Sequence, residues 1–154
     1  MIRLETSAYD FTLSQSNTPT EEMWIEVRVQ LLLHDQFSGS LSAEVTSYMS
    51  MNDILGLAEY LEGYVREVRG AGDVDVSAAP FVPLNLAFEL SAADGEATSD
   101  DEGDFVLATM LNVGTDSFGG RVYIGAKGGV KFTTTIAFTR ELRQFVLSLE
   151  KRRD

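Results

Sequence analysis

Polar and apolar residues alternate most regularly between Met23 and Leu33. Ile25, Val27, Val29, Leu31 and Leu33 share one side of an extended chain, and Trp24, Glu26, Arg28 and Gln30 share the other, joined by Leu32. Period two marks a half-buried strand, because successive side chains leave a strand on opposite faces. Residues Ile2 to Leu13 read as broadly extended, and a polar turn region from Ser14 to Glu22 holds the turn formers Asn17 and Pro19. Phe37-Ser38-Gly39 breaks the main strand. Ser40 to Met49 then returns as its hairpin partner, with Leu41, Ala43 and Val45 alternating against Ser42, Glu44 and Thr46.

The period changes at Met51. Ile54, Leu57, Ala58, Leu61, Tyr64, Val65 and Val68 recur at helical spacing, which predicts an amphipathic helix over 51–69. Ser50 or Asn52 can cap it, Asp53 complements its positive end, and Gly70 and Gly72 stop it. Residues 73–83 read as a loop around Pro80, Phe81 and Pro83. Alternation resumes at Leu84, Leu86, Phe88 and Leu90, and again at Phe105, Leu107, Thr109, Leu111 and Val113. Gly119-Gly120 and Gly128-Gly129 bracket a short strand around Val122 and Ile124, and Phe132, Thr134 and Ile136 make a last strand. Thr139 is the expected cap of a C-terminal helix over 139–152, with Leu142, Phe145, Val146 and Leu149 on one face and Lys151, Arg152 and Arg153 at its negative end.

Strands therefore come in runs, not in alternation with helices. That predicts an α+β class: a mainly antiparallel sheet of about seven strands, one central helix and one C-terminal helix, in a single domain over 1–154. No residue-level repeat relates the two β-plus-helix halves. The expected core is Ile25, Val27, Val29, Leu31, Leu57, Leu61, Leu86, Phe88, Leu107, Ile136, Phe145 and Leu149.

Charge sharpens this picture. The net charge is −12, from 12 bases against 24 acids. Residues 1–70 carry −7, residues 71–120 carry −10 with no base at all, and residues 121–154 carry +5. Such a surface repels phosphate backbones, so direct nucleic-acid binding is not expected, whereas a basic partner would be steered inward. The chain has no cysteine, which removes disulfides, thiolate metal ligands and thiol nucleophiles. No apolar run spans a bilayer, the first residues do not read as a signal peptide, and a cytoplasmic location is expected.

Catalytic signals are sparse. The single histidine, His34, ends the main strand beside Asp35, which points to the opposite face, and it reads as a turn histidine. Asp94, Glu96, Asp100, Asp101, Glu102 and Asp104 lack the spacing of a calcium loop and read as a solvated hairpin tip, or as an acidic finger shown to a basic partner. The glycine-rich run from Gly119 to Gly129 lacks the Lys-Ser/Thr ending of a phosphate loop, and its glycines read as turns or bulges. No nucleophile elbow is present. A metal, a cofactor and an enzymatic activity are not expected.

The element order carries one resemblance. Trp24-Ile25-Glu26-Val27-Arg28-Val29 is followed by a hairpin strand, then by the helix Asp53-Ile54-Leu55-Gly56-Leu57-Ala58-Glu59-Tyr60-Leu61. Phe81-x-Pro83-Leu84 leads into Phe88-Glu89-Leu90, and Leu142-Arg143-Gln144-Phe145 closes the chain. This layout resembles the WapI-type family of bacterial immunity proteins, although the acidic stretch Asp73–Gly120 is longer than the family's loops. The resemblance implies a small acidic cytoplasmic protein that neutralises a cognate protein toxin, often a nuclease. An acidic face from Asp94, Glu96, Asp100, Asp101, Glu102 and Asp104, with Glu59, Glu62 and Glu67, would cover a basic cleft, and Trp24, Tyr60 and Tyr64 are candidate anchors. The alternative is a structural or regulatory module that forms a homo-oligomer, a homodimer in the simplest case.

Overall fold

Ser50 turns the chain from its first sheet into its first helix by a reciprocal cap. Its side chain accepts from the backbone of Asp53, and the Asp53 carboxylate accepts from the Ser50 N–H at 2.8 Å. The computed structural model describes residues 1–16, 24–37, 42–75 and 78–152. Before that cap lie β1 (Ile2–Glu5), β2 (Tyr9–Gln15), β3 (Trp24–Leu33) and β4 (Ser42–Ser50), and after it α1 (Met51–Ala71). The second half repeats the plan with β5 (Asp73–Val74), β6 (Phe88–Ala97), β7 (Gly103–Thr115), β8 (Arg121–Lys131) and α2 (Phe132–Lys151). Each set of four strands forms its own antiparallel sheet in sequence order. The fold is α+β, with eight strands among the described residues where about seven were expected. The two halves share an element order that no residue match reveals.

The expected helix over 51–69 is α1, and Gly72 ends it with φ +81°, a conformation glycine adopts without a Cβ penalty. Several other boundaries differ. The extended stretch Ile2 to Leu13 is two strands, because the Thr6 hydroxyl accepts from the Tyr9 N–H at 3.0 Å and folds the chain into a turn. Leu84 and Leu86 do not belong to a strand. Leu86 donates its N–H to the Pro83 carbonyl, closing a turn with Leu86 at φ +59°, so Leu84 is exposed and Leu86 half-buried. Gly128-Gly129 does not end a strand; β8 runs through it, and glycine stands at 128 because Thr6 and Ala8 press close where a Cβ would stand.

The largest correction is at the C-terminal helix. Phe132, Thr134 and Ile136 are its first turns, not a strand, and Thr139 is buried inside it, donating to the Ile136 carbonyl. Phe132, Thr135, Phe138, Thr139, Leu142, Val146 and Leu149 form the buried face, and this helical period outweighs the shorter alternation. Ile136 and Phe145 consequently sit half-buried at the margin of that face. The turn at Asn17 and Pro19, Met23, the break at Ser38-Gly39, Ser40 with Leu41, and Arg153 lie outside the described residues.

One apolar core draws on both sheets and both helices. α1 packs on β4, β5 and β6, α2 on β1, β7 and β8, and the helices lie against each other. The Phe11 ring meets Phe88 at 5.7 Å and Phe138 at 6.1 Å, tying β2, β6 and α2 together. Polar bonds close the seam between the sheets. Ser7 donates its N–H to the Gly129 carbonyl at 2.7 Å and its Oγ accepts from the Gly129 N–H at 2.8 Å. No helix is long and apolar enough to cross a membrane among the described residues.

Candidate functional site

The acidic residues singled out above fall into two groups. The first lies where α1 meets α2. Arg143 of α2 donates to both oxygens of Glu62, at 3.1 and 2.8 Å, a planar two-point pairing. That bond holds the Glu62 carboxyl below the usual carboxylate range, and exposed Glu59 adds its field at Arg143. Tyr60 is half-buried on the neighbouring side of α1. Its hydroxyl accepts from the Ala92 N–H at 3.0 Å and its ring stands 6.1 Å from Phe81, so it braces α1 on β6, and burial pushes its phenol up. Glu62 and Tyr60 thus work inside the fold.

The second group gathers at the end of the second sheet, where β5, β6 and β7 begin or end. A bulge between Ala93 and Glu96, with Asp94 at φ +51°, turns Asp94 and Glu96 outward while Gly95 presses on Val68 and Tyr64 of α1. Cross-strand pairing then sets Asp73 opposite Glu96, and Glu96 opposite Asp104. Directly opposed residues share a face, so three carboxylates stand in one row across three strands. Lys131 of β8 is the next residue in the row, opposite Asp104. Asp100, Asp101 and Glu102 form the exposed turn beyond it, tied by the Glu102 N–H donating to Ser99 Oγ at 3.1 Å. Glu67 of α1 and Asp94 reach the same end from the helix side. Burial raises the Tyr64 phenol, and the negative charges of Glu67 and Asp94 raise it further.

Asp73 was not among the expected site residues. Its strand is two residues long, too short for any period, and only the pairing with Glu96 reveals its place. A hollow of about 300 Å³ opens beside the row, lined by Thr98, Glu102, Gly103, Asp104, Lys131 and Thr133. Trp24 is half-buried at the start of β3, and Tyr64 is buried against Phe105 at 5.2 Å, so neither stands free at this end.

Elsewhere, His34 has a partner that sequence spacing did not reveal. Its Nε2 lies 3.2 Å from Asp10 Oδ1, and the same carboxylate takes Arg3 at 2.8 Å. The three close a polar surface on the outer side of the first sheet. Among the described residues no three His, Asp or Glu side chains converge to hold a metal ion. No protein-family model, curated protein or solved structure matches the chain.

Proposed function

We propose that this chain is a toxin-neutralising binding protein that occludes a basic partner protein, such as a nuclease, with the acidic end of its second sheet. The observation that carries the reading is the in-register row Asp73–Glu96–Asp104. Like charges directly opposed on a sheet destabilise it, by roughly 0.2–1 kcal/mol per pair, so the row works against folding and in favour of a cationic partner. Asp100, Asp101 and Glu102 extend it into solvent, and Glu67 and Asp94 widen it toward α1. A row of carboxylates presents negative charge as a phosphate backbone does and draws in the lysines and arginines of a nucleic-acid-binding cleft. Attraction of this kind acts mainly on the encounter rate. The acting compartment in this reading is the cytoplasm, and no catalytic role is proposed.

The test needs a partner, most simply the product of the adjacent gene. Asp100, Asp101, Glu102 and Asp104 are converted together to their amides, and association rates are followed at low and high salt. The variant should associate more slowly at low salt and with a flatter salt dependence, while dissociation changes less. Equal association rates at low salt would remove the acidic end from the mechanism, and a neighbour product that does not bind at all would end the immunity reading.

A further inference from the structure

β8 is an edge of the second sheet, and the direction of its backbone groups can be read from one residue. Gly129 donates to Ser7 Oγ and accepts from the Ser7 N–H, so its polar groups point away from β7. The N–H and C=O of a strand residue point the same way, and that direction alternates along the strand. The register along β8 is regular, since the extra residue of the bulge near its far end, Val113, belongs to β7. Arg121, Tyr123, Gly125 and Lys127 therefore also turn their backbone groups outward. No further backbone bond to these four occurs among the described residues.

Apolar side chains are exposed along this open edge, between the basic Arg121 and Lys127. Val122 is 41% exposed and Ile124 43%, and Phe118 at the tip of the β7–β8 hairpin is 97% exposed. No acid occurs from Arg121 to Lys131. The nearby acids are engaged: Asp116 takes the N–H groups of Phe118 and Gly120, and Glu89 takes the Tyr123 hydroxyl. The acidic row lies at the Gly103 end of β7, whereas Arg121–Gly125 pairs with its other end. A strand of 13 residues separates the two ends by about 40 Å. That is several Debye lengths at physiological salt, so two chains of net charge −12 can meet at β8 with their acidic ends apart.

We propose that β8 pairs antiparallel with β8 of a second copy about a twofold axis at Tyr123. In this register Tyr123 faces its twin, Val122 faces Ile124, and Arg121 faces Gly125. The outward N–H and C=O groups of Arg121, Tyr123 and Gly125 all find partners. A register centred on Ile124 would instead set Arg121 against Lys127, like charge against like charge. The product is one continuous eight-stranded sheet with an acidic end at each extremity. The contact is small, so the dimer belongs to the weak, concentration-dependent class.

The absence of cysteine makes the register directly testable. Hydrogen-bonded antiparallel partners have Cα atoms about 5.5 Å apart, inside the range a disulfide spans. Tyr123→Cys should cross-link into a dimer under mild oxidation, and Lys127→Cys, exposed on the same strand, should not. Tyr123→Pro removes an N–H that takes no part in the β7 ladder, and should weaken self-association in sedimentation by roughly tenfold or more. A native chain that stays monomeric at high concentration, equal cross-linking at 123 and 127, or a dimer unaffected by Tyr123→Pro overturns the proposal. Where Tyr123→Pro does not fold, the two cysteine variants decide.

Discussion

Tyr9 of β2 and Thr109 of β7 meet hydroxyl to hydroxyl at 2.7 Å, one hundred residues apart in the chain, and Tyr9 also donates to the Leu107 carbonyl at 3.0 Å. Both side chains are fully buried, so this is a polar bond inside the seam between the two sheets. Removing the phenol strands a buried hydroxyl. Tyr9→Phe should therefore cost about 1–3 kcal/mol in urea melts. Thr109→Val leaves Tyr9 its Leu107 bond and should cost less, and the double variant should fall short of the sum. Additive losses would show that the two groups do not act as a pair.

Alkaline stability follows from the same chemistry. Burial raises the phenols of Tyr9, Tyr60 and Tyr64, against which the hydrogen bonds from Thr109 and Ala92 act as smaller opposing effects at the first two. A folded value above the unfolded one means the stabilisation is complete below about pH 10 and is lost as pH rises past it toward the folded values. Stability should decline above that pH, together with the rise of tyrosinate absorbance, and Tyr9→Phe should decline less steeply. A tyrosinate rise well before unfolding in the difference between the parent and Tyr9→Phe, which leaves out the exposed Tyr48, would contradict the burial of Tyr9.

Glu62 gives the acid counterpart. Its bond to Arg143 lowers its folded value, so its contribution is present above the unfolded value of about 4.3 and disappears as pH falls through the folded one. Glu62→Gln should cost roughly 0.5–1 kcal/mol at neutral pH, since the pair is partly solvated. It should cost nothing at the acid end of a pH series. A loss that does not depend on pH would assign the effect to packing.

Gly103 opens β7 at a point with no room for a side chain. A Cβ there would run into the Phe132 ring and the Glu96 carbonyl. Gly103→Ala should destabilise by about 1–3 kcal/mol through overpacking where β7 meets α2. A neutral result would mean the helix start at Phe132 can shift.

How far the sequence reached depended on the range of the interaction that decides each element. α1 was legible because its apolar spacing, its Ser50–Asp53 cap and its Gly72 stop are all local signals. β3 was legible by its alternation. The start of α2 was not, because Phe132, Thr134 and Ile136 satisfy period two and Lys131 offers no side-chain cap. The Pro83–Leu86 turn hid because leucines at 84 and 86 imitate a strand, and the constraint is a backbone bond. The acids of the candidate site other than Asp73 were singled out in the sequence. Their order was not, since the Asp73–Glu96–Asp104 row exists only through two strand registers and a bulge.

That row makes a prediction free of any partner. Asp73, Glu96 and Asp104 are exposed, so solvent and salt moderate their repulsion without removing it. Asp73→Asn, Glu96→Gln and Asp104→Asn combined removes two opposed like-charge pairs while keeping side-chain shape. Each pair counts for roughly 0.2–1 kcal/mol, so the triple variant should be more stable than the parent at low salt. The loss of the Asp104 charge beside Lys131 offsets little, because exposed opposite charges contribute weakly. Added salt should stabilise the parent by screening and the variant much less, so the two melting curves converge as ionic strength rises. If the variant is less stable at low salt, or both respond to salt alike, the carboxylates do not repel in the folded chain. The row would then carry no stored preference for a basic partner, and the acidic end would be a solubilising surface.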